Sequence, residues 1–111
     1  MTVKDLCAKC GFTAACLPDC EREVEGIYIG DLLSWVMGRA KAGNAWITIM
    51  SNINVIAVAT LSDVSCVILA EGVTLEEELL KRAEEKGVNV LVSLLPAYET
   101  ALEVRRAAAD Q

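Results

Sequence analysis

Seven glycine and polar residues stand where predicted strands give way to the next segment, and they form the best candidate binding site in the sequence. They are Gly30, Asp31, Ser34, Ser51, Asn52, Asn54 and Ser93, with Glu71 expected nearby. In an open parallel sheet, ligands bind beyond the carboxyl ends of the strands, where loops lead into helices. Amides, hydroxyls and free helix N–H groups there would suit a small molecule or an anion, including a nucleotide. The alternative interpretation is that these residues only cap helices and form turns.

Four cysteines near the N-terminus form a second group with possible chemistry. They are Cys7, Cys10, Cys16 and Cys20, and their thiolates could bind zinc or an iron–sulfur cluster. Cys7 and Cys10 fall three residues apart on a predicted helix, where an unligated cysteine packs as a small hydrophobe. The spacing matches no strong metal signature. We therefore expect no cofactor, and we keep zinc or an iron–sulfur cluster as the alternative.

Residue types that support catalysis are scarce. The chain has no histidine, so neither a Ser-His-Asp nor a Cys-His arrangement can be built from it. The phosphate-binding patterns GxxxxGK(S/T) and GxGxxG do not occur either. The acidic run Glu76–Glu78 is typical of a solvated helix face rather than of a paired acid and base. These observations predict a protein that is not an enzyme.

Length and composition predict one domain over residues 1–111, with its core from about residue 3 to residue 106. The net charge of −6 argues against nucleic acid as a partner. Because hydrophobic residues make up 54% of the chain, we expect apolar surface for a homodimer or another protein partner. No apolar segment approaches the roughly 20 residues that span a membrane, and no signal peptide is evident. We therefore expect a cytoplasmic protein with mostly reduced cysteines.

The helices that must position the candidate residues are predicted from caps and glycines. They are Val3–Cys10, a short helix from Asp31 to Gly38, residues 52–61, residues 74–87 and a last helix that begins near Pro96. Asp31 is the expected N-cap of the second helix, and Thr74 with Glu77 forms a capping box for the fourth. The third is rich in β-branched residues, which favour strands. We still predict a helix because parallel strands require a crossover.

The predicted strands alternate with these helices. They are Phe12–Cys16, Val24–Ile29, Ala45–Met50, Val64–Ala70 and Val88–Ser93. From Ala45 onward the order is strand, helix, strand, helix, strand, helix, which is typical of a parallel sheet with right-handed crossovers. The predicted fold class is α/β, a small single domain with a parallel or mixed sheet and helices packed on it.

Two long stretches carry a family resemblance. VEGIYIGDLLSWVMGRAKAGNAWITIMSNINVIAVATLSDVSCVIL, followed by GVNVLVSLLPAYETA, resembles the DRTGG domain over nearly the whole chain, from about Val3 to Leu102. The letters DRTGG themselves are absent, so no role attached to them transfers to this sequence. The N-terminal cysteines also depart from the family pattern, where aliphatic and small residues usually stand.

The resemblance implies an α/β regulatory module similar to the N-terminal domain of HPr kinase/phosphorylase and to the middle region of some phosphotransacetylases. Domains of this family also occur beside CBS domains. The kinase chemistry of HPr kinase belongs to a separate domain, so the resemblance implies regulation without catalysis. Similar stand-alone members are associated with iron hydrogenase gene clusters, which implies a connection to redox metabolism.

Overall fold

This computed structural model describes residues 1–109, in which strands and helices alternate from Ile27 onward. In chain order the elements are α1 (Val3–Cys10), β1 (Thr13–Cys16), β2 (Ile27–Ile29), α2 (Leu33–Arg39), β3 (Ala45–Thr48), α3 (Asn54–Ser62), β4 (Cys66–Leu69), α4 (Glu77–Lys86), β5 (Val90–Val92) and α5 (Ala97–Ala109). No helix in this range is long and apolar enough to cross a bilayer.

The strands form one mixed sheet in the order β1-β5-β4-β3-β2. The four strands from β2 to β5 are parallel neighbours, and β1 joins β5 in the antiparallel direction. Ala45 of β3 is paired with Ile27 on one side and Cys66 on the other. The parallel part requires the crossover helices α2, α3 and α4. The predicted α/β class with a mixed sheet is confirmed.

Side chains alternate between the two faces of the sheet and build two apolar layers. Trp46 and Val67 face a layer that is closed by α2, α3 and α4. Ile47 and Ile68 face the opposite layer, which α1 and α5 close. Within residues 1–109 the sheet therefore has three helices on one face and two on the other. Neither face of the central strands reaches water, which explains their continuous apolar sequences.

The first helix follows its local signals. The Thr2 hydroxyl accepts a hydrogen bond from Asp5 N, and the Asp5 carboxylate accepts one from Thr2 N. Together they form the reciprocal capping box that satisfies two free backbone donors. Gly11 ends the helix with φ 68°, a left-handed conformation that costs other residues more. The predicted boundaries of α1 are confirmed.

In the third helix, packing against the sheet outweighs the preference of β-branched residues for strands. Val55, Ile56 and Val58 are β-branched, yet all three are buried in α3. The helix links β3 to the parallel strand β4, and its apolar side chains pack against the sheet. A strand here could not make that connection, so the predicted helix is confirmed.

Two predicted caps are wrong. The N-cap of α2 is Leu32, which makes no side-chain capping bond, and Gly38 lies inside the helix rather than at its end. Likewise α4 begins at Glu77 with Glu76 as its N-cap, so Thr74 does not cap it. In each case the acidic or hydroxyl residue lies one or more positions too far from the first turn. The cap signals predicted the helices but misplaced their starts.

Candidate functional site

The parallel strands bring most of the candidate residues to one edge of the sheet. Gly30 follows β2, Ser51 and Asn52 follow β3, and Ser93 follows β5. The carboxyl ends of parallel neighbours lie side by side. Asn54 then begins α3, and Ser34 lies in the first turn of α2. We call this the carboxyl edge.

Asp31 connects two loops at the carboxyl edge instead of capping a helix. Its Oδ1 accepts hydrogen bonds from Thr48 Oγ1 at 2.8 Å and from Ile49 N at 3.0 Å. Thr48 is 1% exposed, so its hydroxyl depends on this carboxylate for an acceptor. The same hydroxyl accepts from Met50 N at 3.2 Å. The loop after β2 is therefore tied to the end of β3.

Gly30 is held in the same arrangement by a buried tryptophan. Trp46 is fully buried, and its Nε1 donates to Gly30 O at 2.9 Å. Gly30 N donates to Ile47 O at 3.1 Å. A Cβ at position 30 would lie 2.8 Å from Cε2 of Tyr28, so any larger residue would push against that ring. Glycine at this position allows the loop to pass close to the aromatic side chain.

The loop between β3 and α3 carries the amide and hydroxyl candidates. Asn52 Oδ1 accepts from Asn54 N at 2.9 Å. The N-cap of α3 is nevertheless Ile53, which makes no side-chain capping bond, so neither Ser51 nor Asn52 caps the helix. Val55 N and Ile56 N donate to main-chain oxygens of Asn52 and Ile53. These first-turn donors are therefore occupied. A ligand here would be bound mainly by the side chains of Ser51, Asn52 and Asn54, which are half-buried or exposed.

Ser93 supports the edge from inside the protein. It is 2% exposed, and its Oγ lies 2.8 Å from Thr100 Oγ1. The Ser93 hydroxyl also accepts from Leu95 N at 3.1 Å. Glu71 reaches the same region through its backbone, since Glu71 N donates to Leu95 O. Ser93 and Glu71 thus hold the turn after β5 in place.

Two open clefts lie away from the carboxyl-edge residues, along the side of the sheet formed by β2 and α5. One, of about 490 Å³, is lined by Met1, Val24, Gly26, Ile27, Val104, Arg105 and Ala108. The other, of about 470 Å³, is lined by Ile27, Ile29, Tyr98, Ala101, Leu102 and Arg105. None of the seven candidate residues lines either cleft. These two clefts therefore do not coincide with the carboxyl edge.

Three of the four N-terminal cysteines have thiols that make hydrogen bonds inside the fold. Cys7 Sγ donates to Phe12 O at 3.2 Å, and Cys10 Sγ lies 3.5 Å from Glu103 O, which accepts from it. Cys16 Sγ donates to Glu84 Oε2 at 3.1 Å. Burial raises the pKa of Cys10 to about 11 and that of Cys16 to about 12. These contacts are those of cysteines packed as small hydrophobic residues.

In the part of the chain that the structure describes, Cys20 and the other three N-terminal cysteines do not form a metal site. Across residues 1–109, no three cysteine, aspartate or glutamate side chains are grouped closely enough to hold a metal ion. Cys66 is fully buried in β4, and burial raises its pKa to about 12. The contacts of the cysteines agree with packing, and nothing in their geometry favours the zinc or iron–sulfur alternative.

Thr48 and Trp46 hold the candidate site, and the sequence did not single them out for that role. Thr48 is the polar member of the strand AWIT, and it stands at the end that meets the loops. A hydroxyl at the end of an otherwise apolar strand is the signal that could have identified it. Trp46 carries no such signal, because a buried tryptophan is expected in any core.

Comparisons with known proteins give one family and one fold. The model of the DRTGG domain family matches residues 12–107. A solved structure of the CBS and DRTGG domains of the regulatory region of Clostridium perfringens pyrophosphatase, complexed with its activator diadenosine tetraphosphate, is similar with a TM-score of 0.75. The similarity covers 96% of this chain at 11% identity, and this chain spans only 46% of that one. No curated protein matches the chain.

Proposed function

This chain belongs to the DRTGG domain family, and from that premise we propose that it is a non-catalytic regulatory domain that binds a small ligand at its carboxyl edge. The observation that carries the proposal is the Asp31 bridge between the two loops. A ligand that contacts one of these loops would therefore also affect the position of the other loop. Regulation requires such coupling between a binding site and a second surface.

The second surface is the exposed side of α2, which follows the Asp31 loop directly. Trp35 is 53% exposed and Met37 is 52% exposed. The Arg39 guanidinium lies 3.7 Å from the centre of the Trp35 ring, which holds the indole in position on the surface. Exposed aromatic, arginine and methionine side chains are typical of protein contacts. We propose that a protein partner binds α2 and responds there to whether the ligand is bound.

We propose a nucleotide as the ligand. The similar pyrophosphatase regulatory region was solved with diadenosine tetraphosphate, which makes nucleotides the first class to test. In this chain Ser34, Ser51, Asn52 and Asn54 would contact the ligand, whereas Gly30 and Asp31 hold the loops that present them. Ser93 holds the neighbouring turn after β5. Hydroxyl and amide groups can bond to phosphate, ribose and base alike.

Two further expectations belong to this proposal. We propose that the protein acts as a homodimer in the cytoplasm, supported by the exposed apolar side chains of its surface. A connection to hydrogenase or central redox metabolism is a prediction that rests only on the family resemblance. Native mass spectrometry of anaerobically purified protein would report dimer, ligand and metal together. Excess mass of metal would favour the cysteine alternative instead.

Isothermal titration calorimetry with ATP, ADP and diadenosine tetraphosphate tests the ligand proposal. We expect binding that weakens at least about tenfold when Ser51→Ala and Asn54→Ala are combined, since unpaired polar groups of the ligand would remain. Thr60→Ala is the matched control, because Thr60 lies near the opposite end of the same helix. Absence of heat for every nucleotide at millimolar concentration would refute the nucleotide proposal.

A further inference from the structure

Helix α3 lies at the surface of the domain, although its sequence is that of a buried helix. None of the residues Asn54–Ser62 is charged. A helix at a protein surface normally turns a charged or polar face towards water. The outward side of α3 instead includes Ala57, Thr60 and Leu61, and Leu61 is 72% exposed. The composition of α3 therefore indicates a contact surface on its outer side.

A cleft of about 260 Å³ runs between this side of α3 and α4. It is lined by Ile56, Ala57, Thr60, Leu61, Arg82 and Lys86. The first four belong to α3, and the two cations belong to α4. The Thr60 hydroxyl donates to Ile56 O at 2.8 Å, so its proton is already bonded within the helix. No carboxylate of the described residues lines the cleft. We call it the α3–α4 cleft.

The two cations of the α3–α4 cleft are weakly neutralised by the protein itself. Residues 32–62, which include α2 and α3, contain no aspartate or glutamate, although the chain has 16 acidic residues. Within residues 1–109 Lys86 forms no ion pair, and Arg82 has only the contact of 3.6 Å with Glu85. The cleft thus attracts negative charge on a chain whose net charge is −6.

We propose that the α3–α4 cleft binds an acidic amphipathic helix of a protein partner. An apolar side chain of the partner packs beside Leu61, and its carboxylates bind Arg82 and Lys86. Sites for small molecules usually enclose about 300 to 1,000 Å³. The smaller volume of this cleft suits one apolar side chain of a partner. The contact goes beyond the proposed function, because it uses neither the carboxyl-edge loops nor the exposed side of α2.

The clefts on either side confine the acidic part of the partner. One, of about 240 Å³, is lined by Ile53, Glu78, Lys81, Arg82 and Glu85. Its two glutamates repel further carboxylates. The other shares Thr60 and Lys86 with the α3–α4 cleft and contains Asp19 and Asp63, of which Asp63 is paired with Arg22 at 2.9 Å. The partner therefore places one or two acidic residues at the α3–α4 cleft and neutral or basic residues towards Ile53.

An anionic membrane fits this surface less well than an acidic helix does. Protein segments that bind anionic lipids through charge carry about four to eight lysines and arginines. The α3–α4 cleft has two cations. The net charge of −6 also repels an anionic bilayer, which extends over far more of the protein than one cleft.

The test is a ¹H–¹⁵N NMR titration at low salt with two synthetic helical peptides. Both carry leucines at spacings of three and four residues, and they differ only in two positions beside the central leucine, which are glutamate in one and lysine in the other. We expect the glutamate peptide to bind with a dissociation constant below about 1 mM, with shifts centred on Ala57, Leu61, Arg82 and Lys86. The lysine peptide should bind at least about tenfold more weakly.

Variants of the two cations make the outcome decisive. Arg82→Glu combined with Lys86→Glu should reverse the preference, so that the lysine peptide binds more tightly. Arg82→Gln with Lys86→Gln adds no negative charge to the end of α4 and should still weaken binding of the glutamate peptide at least about threefold. Lys9→Glu with Arg105→Glu makes the same charge change on α1 and α5, across the sheet, and should leave binding unchanged. Circular dichroism checks that each variant is folded.

Several results would overturn the proposal. They are equal binding of the two peptides, shifts away from α3 and α4, an unchanged preference in the charge-reversed variant, or no binding up to millimolar peptide. Flotation with vesicles of phosphatidylserine and phosphatidylcholine tests the lipid alternative. Flotation of the wild-type chain that is lost in the charge-reversed variant would replace the protein partner with a lipid surface.

Discussion

Two Thr–Asp pairs use the same chemistry in different ways. In α1, Thr2 and Asp5 are three residues apart and cap their own helix. At the carboxyl edge, Asp31 and Thr48 are seventeen residues apart and join two loops through a hydrogen bond of 2.8 Å. The first pair satisfies local backbone donors, and the second fixes tertiary structure. An acidic residue before an apolar run, such as Asp31, can therefore accept from a distant hydroxyl instead of capping the helix that follows.

The largest expected effect is that of Asp31→Ala. This change leaves the buried Thr48 hydroxyl and Ile49 N without their acceptor, so we expect the free energy of unfolding to fall by about 2 kcal/mol. Urea unfolding followed by tryptophan fluorescence measures it. Asp31→Asn retains an oxygen acceptor and should recover part of the loss. If Asp31→Ala is as stable as wild type, the bridge does not hold the loops.

Thr48→Val should have the next largest effect. It replaces the hydroxyl with a methyl group of similar shape and should cost about 1 kcal/mol. In a double-mutant cycle with Asp31→Ala, the combined loss should be clearly smaller than the sum, because both changes remove one shared contact. Additive losses would show that the two side chains act separately.

Thr2→Ala should destabilise the protein less, by about 0.5 to 1 kcal/mol, at the lower end for helix caps. Burial of Val3 and Leu6 holds α1 in place even without the cap. The loss of stability in Thr2→Ala should add to that in Asp31→Ala, since the two sites share no contact. Strong coupling between them, measured by the same unfolding experiment, would contradict the distinction between a local and a tertiary pair.

The smallest effect concerns pH. The hydrogen bond from the Thr2 side chain, and then that from the Thr2 backbone, hold the pKa of Asp5 below its ordinary value of 3.8. A lowered carboxyl pKa stabilises the fold above the ordinary value, and this contribution is lost as pH falls through the lowered one. NMR titration should show the Asp5 pKa return towards 3.8 in Thr2→Ala. An unchanged pKa would contradict this cause.

Local sequence signals predicted those parts of the fold whose contacts lie within one element or between consecutive elements. Thr2 and Gly11 bound α1, and Gly87 ends α4 with φ 71°. The α3 helix was predicted against its β-branched composition because the order of strands demanded a crossover. The α/β class followed from that order. These inferences depend on contacts within one element or between consecutive ones.

Distant contacts explain what the sequence did not predict. Asp31 binds Thr48 instead of its own helix, so the N-cap of α2 is Leu32 and the helix starts at Leu33, one residue later than a cap at Asp31 predicts. Strand β2 begins at Ile27 rather than Val24, because Val24 N donates to Met1 O instead of extending the ladder with β3. Helix α5 continues to Ala109, beyond the predicted limit of the core near residue 106, since Ala107 is buried against the core. No spacing in the sequence shows such partners.

The candidate residues illustrate the same limit. Grouping them at the carboxyl edge required only the order of parallel strands. Their separate roles required the structure, which shows Asn52 bonded to Asn54 N and Ser93 bonded to Thr100. Ser93 therefore holds the turn after β5 from the interior, while Ser51 and Asn54 remain proposed ligand contacts.

The central claim is that a nucleotide binds the carboxyl-edge loops, and a ¹H–¹⁵N NMR titration with diadenosine tetraphosphate tests it most directly. The account predicts saturable shifts concentrated at Gly30, Asp31, Ser51, Asn52 and Asn54, with smaller ones along α2. Shifts confined to the clefts between β2 and α5, or no shifts up to millimolar nucleotide, would contradict it.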